Sequence, residues 1–273
     1  NALVNAARNG KHVEVVVELA ARFDEKQNIR ISNMLKEAGV VVRFGIPKLK
    51  VHAKLILITR KHQGRVRRYA HIGTGNFHEK TAGVYEDLSL LTAHSDLTKE
   101  VAKIFDFFES SFERKQYKLL FVSPFTNRRR FMNLINEEMK RAKAGKEAWI
   151  RLKLNNLVDT GMIDKLYRAS AAGVRIQLVV RGICALKAGV PDLSDNIEVR
   201  SVVGRYLEHS RFAVLAGGGD TQVYLSSADW MTRNLDRRVE VTTPVLDPGL
   251  KNQLVDLFDH LWCDNQKARR VTE

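Results

Sequence analysis

The amino-acid sequence predicts an α/β protein with two tandem domains related by duplication, each a mixed sheet flanked by helices. Segments with the apolar pattern of strands alternate with segments of helical spacing along the chain. The order of these segments repeats once, over roughly a hundred residues per copy, which indicates a duplicated domain and not a solenoid. The 273 residues suffice for two cores of ordinary size. We predict domains at residues 1–115 and 116–273, with the boundary in the charged segment 113–118.

The two copies carry matching polar motifs. His52-Ala53-Lys54 begins an apolar strand pattern in the first copy, and His209-Ser210-Arg211 occupies the same place in the second. A turn of small residues follows each motif, and an acid follows each turn after 11 more residues. The turns contain Asn76 and Asp229, and the acids are Asp87 and Glu240. The repetition predicts one site of two histidines and two carboxylates at a pseudo-twofold interface.

The first domain is predicted from apolar spacing and from glycine stop signals. Gly10 and Gly39 each close a helix, and Gly73 opens the small-residue turn. The predicted elements are a helix ending at residue 9, a buried strand at 13–19, a helix ending at 38, a strand at 40–44, a strand at 50–58, a basic loop at 60–68, strands at 69–72 and 88–91, and a helix at 96–108.

The second domain repeats this order. The helix that ends at Gly173 matches the one that ends at Gly10, and the strands at 174–180 and 197–203 match those at 13–19 and 40–44. A basic helix at 127–143 and a strand at 149–154 precede this repeat. The first copy lacks a counterpart of that strand, and the chain begins at Asn1 within a helical pattern, so we expect it to be part of a longer protein.

Composition narrows the range of partners. The formal net charge is +14, and each predicted domain carries +7 of it. An evenly basic surface favours a polyanionic partner such as a nucleotide, polyphosphate, nucleic acid or an anionic membrane, with a merely solvated basic surface as the alternative. The two cysteines lack the spacing of a disulfide framework, and no apolar run is long enough to span a bilayer.

The histidine motifs indicate phosphoryl transfer. A neutral imidazole can attack phosphorus while a neighbouring cation offsets the charge on the phosphoryl oxygens. We expect His52 and Lys54 to project from one face of a strand, with Asp87 or Glu240 holding the second imidazole nitrogen. A lone strand histidine is more often structural, but the repetition of the motif favours a functional role for His52 and His209.

Other polar residues have both structural and functional interpretations. Arg22 and Arg181 each follow a buried strand, where ligands collect in α/β sheets, although a salt bridge is the alternative. Lys54 and Arg211 can equally be surface bases, Asn76 can serve its own turn, and Tyr85 can belong to the core. The sequence has no phosphate-binding loop or dinucleotide fingerprint, so side chains would have to hold a nucleotide.

Several long motifs resemble the C-terminal half of bacterial polyphosphate kinases, and the resemblance covers essentially the whole chain. They are Arg22-Phe23-Asp24-Glu25, His52-Ala53-Lys54, the run 69–77, the run 79–82, Ser123-Pro124-Phe125, the run 180–184 and Glu208-His209-Ser210-Arg211. The resemblance implies two domains of the phospholipase D fold, each giving one histidine motif to a shared site. The chain departs from phospholipase D proper, because Thr59 and Ala216 stand where that family has an acid five residues after the motif's basic residue.

The resemblance also implies roles for the candidate residues. His52 would accept the γ-phosphate of ATP and Asp87 would orient it, while His209, backed by Glu240, would act as acid and base or stabilise the transferring group. Tyr85 and Arg181 would contact the nucleotide. The remaining candidates for phosphate contact are Lys54, Arg211, Asn76 and Arg22, the last of them beside phosphate-bound Mg²⁺.

These expectations lead to one function and two rivals. The first is reversible transfer of phosphate between ATP and polyphosphate through phosphohistidine, with Mg²⁺ as cofactor. The rivals are a phospholipase D-like phosphodiesterase or nuclease, and a non-catalytic polyanion-binding fragment. The resemblance further implies a cytoplasmic protein, homo-oligomeric at full length, that can attach peripherally to the inner membrane, without sequence-specific nucleic-acid binding. The resemblance also implies that residues from N-terminal domains, which would lie before Asn1, take part in the site. We therefore expect the fragment to bind ATP poorly or to be inactive alone.

Overall fold

The structure is a computed structural model that describes residues 1–18, 25–110 and 115–271. The chain folds into two compact units, one of Asn1–His52 and Lys103–Lys115, the other of Ala53–Ala102 and Gln116–Glu273. The described chain consists of helices together with parallel and antiparallel strand pairs, which confirms the predicted mixed α/β class. Arg22 and part of the predicted boundary segment 113–118 lie outside the described residues.

The first unit contains a parallel strand pair. β1 pairs with β2 in register, from Glu14 opposite Val41 to Val17 opposite Phe44. All four residues of β1 are partly exposed, so the prediction of a strand buried on both faces is wrong in this structure. Gly10 and Gly39 have positive φ and end the helices as predicted. The elements are α1 Ala2–Arg8, β1 Glu14–Val17, α2 Glu25–Glu37, β2 Val41–Phe44 and β3 Lys50–Val51.

A three-stranded antiparallel sheet opens the second unit, in the order β4-β5-β7. The predicted strand at 50–58 is interrupted, because His52 and Ala53 lie between β3 and β4. The predicted basic loop at 60–68 is also wrong, since β4 and β5 stay paired out to His62 opposite Arg65. The elements are β4 Lys54–His62, β5 Arg65–Gly73, α3 Glu79–Ala82, β6 Tyr85–Glu86, β7 Ser89–Thr92 and α4 Ser95–Glu109. Helix α4 belongs to the second unit up to residue 102 and to the first unit from residue 103.

The larger sheet of the second unit is mixed. Its strands lie in the order β16-β11-β10-β9-β13-β14-β15-β8, with β9, β10 and β11 parallel and the other pairs antiparallel. The elements are β8 Phe121–Ser123, α5 Asn127–Lys143, β9 Trp149–Leu154, α6 Thr160–Ala171, β10 Arg175–Val180, β11 Ile197–Val202, β12 Leu207–Glu208, β13 Phe212–Leu215, β14 Gln222–Ser226, α7 Thr232–Asp236, β15 Arg238–Pro244, α8 Pro248–Cys263 and β16 Ala268–Arg270.

Helices cover this sheet on both faces. Leu178 packs with Phe131 of α5 and Met162 of α6, whereas the next residue, Val179, packs with Phe258 of α8. The alternation of side chains along a strand explains why its successive residues enter different cores. Burying each such side chain contributes roughly 1.5–3 kcal/mol, so the larger sheet is a stable platform for the polar residues at its strand ends.

The order of elements repeats along the chain, as the sequence predicts. In the second copy a helix, two main strands and a two-residue strand lead to His209, and a hairpin, a short helix, a strand and a long helix follow it. The first copy has the same order around His52, with α2 added between its first two strands and β6 added before β7. In both copies the histidine lies just outside the strands that flank it.

Candidate active site

His209 occupies the break between β12 and β13 and is 8% exposed. Its Nδ1 lies 2.8 and 3.0 Å from the two carboxylate oxygens of Asp87, which also accepts a 2.6 Å hydrogen bond from the Thr74 hydroxyl. A carboxylate is an acceptor only, so we assign the proton to Nδ1. This tautomer leaves Nε2 with a lone pair that can accept a proton or bind a donor.

The small-residue turn holds Asp87 in place. A Cβ atom at Gly75 would lie 2.7 Å from Oδ2 of Asp87, so only glycine allows the turn to approach this carboxylate so closely. Thr74, next to it, is fully buried and supplies the hydroxyl donor. Asn76, the turn residue predicted to contact phosphate, is exposed, and its carbonyl accepts a hydrogen bond from the backbone of His78.

Arg211 places a guanidinium against the other side of the imidazole. One of its terminal nitrogens donates to the His209 carbonyl at 2.9 Å, and the other lies 3.3 Å from His209 Nε2 and 3.2 Å from Asp229. The residue is 4% exposed, and its Nε has no hydrogen-bond partner among the described residues. A buried donor without a partner marks a position where an anion can bind.

The surroundings favour a neutral His209. Burial lowers the pKa of His209 below its ordinary value, Asp87 opposes that shift, and the nearby Arg211 adds to it. Burial raises the pKa of Asp87, but hydrogen bonds from His209 and Thr74 outweigh burial and hold it below its usual value. The pair is therefore a neutral imidazole beside an ionised carboxylate, the arrangement that supports a nucleophile or general base.

Lys54 is the first residue of β4 and is 5% exposed. Its Nζ has no hydrogen-bond partner in the part of the chain that the structure describes. Burial lowers its pKa to about 7, with Glu240 and Asp87 opposing the shift and Arg211 and Arg238 adding to it. An ammonium group that is buried, unpartnered and close to other cations is suited to an anionic ligand of high charge.

Three polar side chains hold the backbone around His209. Lys153, fully buried in β9, donates to the carbonyls of Glu208 at 2.8 Å and Ser210 at 3.0 Å. Asn155 donates to the His209 carbonyl at 3.0 Å, and Arg181 donates to Asn155 at 2.8 Å and to the Glu208 carbonyl at 3.1 Å. Three consecutive carbonyls are thus bound by side chains at the carboxyl ends of β9 and β10.

The carboxylates are not paired as the resemblance implies. Asp87, expected to orient His52, instead accepts from His209, because β6 pairs with β12 and brings the two side chains together. Glu240, expected behind His209, is fully buried and accepts hydrogen bonds from Ser227 at 2.5 Å and Asn234 at 2.6 Å. It lies close enough to Lys54 to raise the pKa of that lysine.

The structure brings most of the predicted residues of the second unit together. The Tyr85 ring lies 5.0 Å from the His209 ring, and Arg181 lies against the backbone of Glu208. His52 is the last residue of the first unit, two residues before Lys54 along the chain. Arg22 lies outside the described residues, so its predicted place beside phosphate and Mg²⁺ stays a prediction.

Sequence reasoning missed several residues of this site, and most of them left a detectable signal. Lys153 is the one charged side chain in the last three positions of a strand that is otherwise apolar there. Asn155 follows directly at the carboxyl end of the same strand, where α/β sheets place functional groups. Thr74 and Ser227 lie in the two small-residue turns that the sequence predicts, whereas Asn234 has no such signal.

The described residues contain no cluster of metal ligands. They include no group of three or more His, Cys, Asp or Glu side chains that could hold a metal ion. Asp87, Asp229 and Glu240 already accept hydrogen bonds from protein donors, so their oxygens are engaged. Mg²⁺ in proteins is usually bound through one or two carboxylates and the phosphates of a substrate, so an ion at this site would depend on a phosphate ligand for part of its coordination. No helix in the described ranges is long and apolar enough to cross a membrane.

Family models match the chain almost from end to end. The model described as "Polyphosphate kinase C-terminal domain 1" matches residues 1–116, and "Polyphosphate kinase C-terminal domain 2" matches residues 120–273. The chain belongs to the polyphosphate kinase family. This confirms the resemblance drawn from its motifs. As a member of the family, the chain is 52% identical over 271 residues to the polyphosphate kinases of Vibrio cholerae and Escherichia coli K12, covering 99% of the chain but 39% of those proteins.

Solved structures extend the comparison. The crystal structure of polyphosphate kinase from Porphyromonas gingivalis matches with a TM-score of 0.90 and 42% identity, over 99% of this chain and 41% of that one. The phosphatidylserine synthase of Haemophilus influenzae matches with a TM-score of 0.62 and 11% identity, over 99% of this chain and 77% of that one. The second likeness shows the fold alone. The likeness to the phosphatidylserine synthase gives no information on the substrate of this chain.

Replacing Lys54 by methionine is expected to stabilise the fold at pH 7 by about 1–4 kcal/mol, because a buried cation is exchanged for an apolar chain of similar length. The pKa near 7 is far below the ordinary 10.5 of lysine, so between these values the unfolded chain holds a proton that the folded chain lacks. Wild-type stability should therefore rise with pH in that window, by up to about 1.4 kcal/mol per unit from this group.

Urea unfolding of wild type and Lys54→Met from about pH 7.5 to 9.5, a range between the two pKa values, measures how the free energy of unfolding of each protein changes with pH. Lys140→Met is the control, since Lys140 is an exposed lysine paired with Glu137 and its removal should change neither quantity by much. A Lys54→Met variant less stable than wild type at pH 7 would contradict this account of the ammonium group.

Proposed function

We propose that this chain carries the phosphoryl-transfer site of a polyphosphate kinase, in which the γ-phosphate of ATP passes reversibly to polyphosphate through a phosphohistidine at His52. The chain spans 39% of the length of the relatives it matches. The kinase activity and the substrates ATP and polyphosphate are therefore proposed for this chain. The observation that carries the proposal is the buried Lys54 ammonium without a hydrogen-bond partner, near Arg211 and the neutral His209.

The proposed chemistry has two displacements at phosphorus. An imidazole nitrogen of His52 forms a bond to the γ-phosphorus while the bond from that phosphorus to the bridging oxygen breaks, and ADP leaves. A terminal oxygen of polyphosphate then attacks the same phosphorus, the phosphorus–nitrogen bond breaks, and the polymer is one unit longer. Both displacements place charge on phosphoryl oxygens, which the Lys54 and Arg211 cations would stabilise.

His209 would complete this chemistry as an acid and base. With Nδ1–H donated to Asp87, its Nε2 can accept a proton from an attacking phosphate oxygen and return it in the reverse reaction. Tyr85, which lies against the His209 ring, and Arg181 would contact the nucleotide. Mg²⁺ would enter as the counter-ion of the ATP phosphates, since Asp87 and Asp229 beside His209 already accept hydrogen bonds from protein donors.

The site differs from that of a phosphodiesterase in one respect that favours the kinase. Thr59 and Ala216 occupy the positions at which phospholipase D motifs have an acid. Ala216 is buried at the end of β13 and offers no side-chain group to a substrate. The hydrolase and the non-catalytic polyanion-binding fragment remain the alternatives that the following experiment separates.

Incubation with γ-labelled ATP and Mg²⁺ tests the proposal. In a full-length protein that contains this chain, we expect acid-labile label on the wild type, none on His52→Ala, and a label on His209→Ala that forms more slowly. The Escherichia coli polyphosphate kinase is the positive control, and Cys263→Ala, an exposed change, is the matched negative control. Label that survives in His52→Ala would contradict the proposed nucleophile, and hydrolysis of a phosphodiester by the wild-type chain would favour the phosphodiesterase.

A further inference from the structure

The outer part of the β4–β5 hairpin is a two-stranded ribbon. β7 pairs with β5 over Ala70–Gly73, and no other strand of the described residues joins the sheet of β4, β5 and β7. Beyond that stretch, residues 59–62 and 65–68 pair only with each other among the described residues, and we call them the basic ribbon. All but Arg68 are exposed. A turn at Gln63 and Gly64, both with positive φ, closes it.

The basic ribbon carries uncompensated charge. Its cations are Arg60, Lys61, Arg65, Arg67 and Arg68. The sequence contains no Asp or Glu between residues 38 and 78, and no described residue forms an ion pair with these five. Elsewhere on the surface several basic side chains do have a partner, as Lys99 has Asp96 at 3.1 Å and Lys140 has Glu137 at 2.7 Å.

The strand register places like charges against each other. Arg60 lies directly opposite Arg67. Like charges in directly opposed positions destabilise a strand pair, and a two-stranded ribbon is marginally stable in water to begin with. The folded chain therefore holds this arrangement at a cost in stability that a bound polyanion would relieve.

We propose that the basic ribbon is a binding site for long-chain polyphosphate, separate from the transfer site and reached by the same polymer. This inference rests on the proposed function, since it names polyphosphate as the ligand. Lys54 and Arg60 lie on one face of β4, six residues and about 20 Å apart, so the strand connects the transfer site directly to the ribbon. A polymer with a charge on each repeat can contact both ends.

The distribution of apolar residues argues against other polyanionic partners. A membrane-inserting ribbon would carry apolar side chains at its tip, but Val66 is the one apolar residue in the basic ribbon, and Ile56 and Ile58 lie nearer its base. Single-stranded nucleic acid is usually held by large aromatic side chains on which bases stack, and the basic ribbon contains no Phe, Tyr or Trp. A flexible chain of phosphates requires cations alone.

The test compares binding of long-chain polyphosphate and tripolyphosphate to wild type, to Arg60→Gln/Arg67→Gln and to Lys146→Gln/Arg175→Gln. The last is the matched control, because it removes the same charge from exposed residues outside the ribbon. In the ribbon variant we expect the affinity for long-chain polyphosphate to fall about tenfold. The slope of the logarithm of that affinity against the logarithm of salt concentration should fall by an amount that corresponds to roughly two charges. The affinity for tripolyphosphate should stay unchanged. Circular dichroism should show wild-type folding, since both substituted side chains are exposed.

The outcomes separate this inference from the proposed function. Equal long-chain affinity in the ribbon variant and wild type would overturn the inference, and so would equal losses in the ribbon and control variants. Ribbon-dependent binding of duplex DNA or of anionic vesicles, without such binding of polyphosphate, would overturn it in favour of another partner. If ribbon-dependent polyphosphate binding is found while His52 takes no label from ATP, the ribbon site stands and the proposed function fails.

Discussion

Replacing Asp87 by asparagine is expected to lower the rate of phosphate transfer by about 10³–10⁴-fold, because an amide does not hold an imidazole in one tautomer as a carboxylate does. The His209 Nδ1–H now has an ionised acceptor at 2.8 Å. An asparagine in the same place can present its NH₂ group to that nitrogen. The proton would then move to Nε2, which would no longer be available as a base.

The same variant has a readout that does not depend on activity. Asp87 raises the pKa of His209 against the effect of burial, so its removal should lower that pKa further. Titration of the His209 ring by NMR measures this directly. Asp220→Asn, at an exposed carboxylate paired with Lys251, is the control. A His209 pKa that is unchanged or higher in Asp87→Asn would show that the carboxylate does not act on the ring in solution.

Replacing Lys153 by methionine is expected to destabilise the fold by about 3–5 kcal/mol, the cost of breaking a buried charged interaction by removing one partner. The ammonium group binds two carbonyls and lies 3.5 Å from the Glu208 carboxylate. Methionine fills the space but leaves these acceptors buried without a donor. The backbone on both sides of His209 should loosen as a result.

Lys153 and Lys54 form an informative pair. Burial lowers the pKa of both, to about 8 for Lys153 and about 7 for Lys54, but Lys153 alone of the two has hydrogen-bond acceptors around its Nζ. We therefore expect opposite signs, with Lys153→Met less stable and Lys54→Met more stable than wild type in urea unfolding at pH 7. A stabilising effect of both substitutions would show that the bonds from Lys153 to the backbone do not offset its desolvation.

Much of the fold follows from local sequence pattern. Helix α5 at Asn127–Lys143 and strand β9 at Trp149–Leu154 have the bounds that their apolar spacing predicts, and glycines end α1 and α2 as expected. The basic ribbon was predicted as a loop because a ribbon exposed on both faces has no apolar alternation to reveal its strands. A charged, exposed segment can therefore form regular strands that the apolar pattern does not predict.

The candidate site was predictable in its residues and not in its pairings. Repetition of the motif identifies His209, Asp87 and Glu240, but no local pattern shows that Asp87 meets His209. That contact depends on β6 pairing with β12, and such a register arises from tertiary structure. Lys153 was missed for a related reason, since its acceptors are carbonyls more than fifty positions away along the chain.

The pairing of β6 with β12 also bears on how the protein folds. It joins segments whose side chains Asp87 and His209 are 122 positions apart. Closing a loop of that length costs conformational entropy before any contact repays it, and contacts between distant segments form slowly. Each strand has only two residues, so this pairing cannot initiate folding by itself. The larger sheet should form first, and the imidazole and its carboxylate should meet among the last native contacts, so a refolding chain regains its secondary structure before its chemistry.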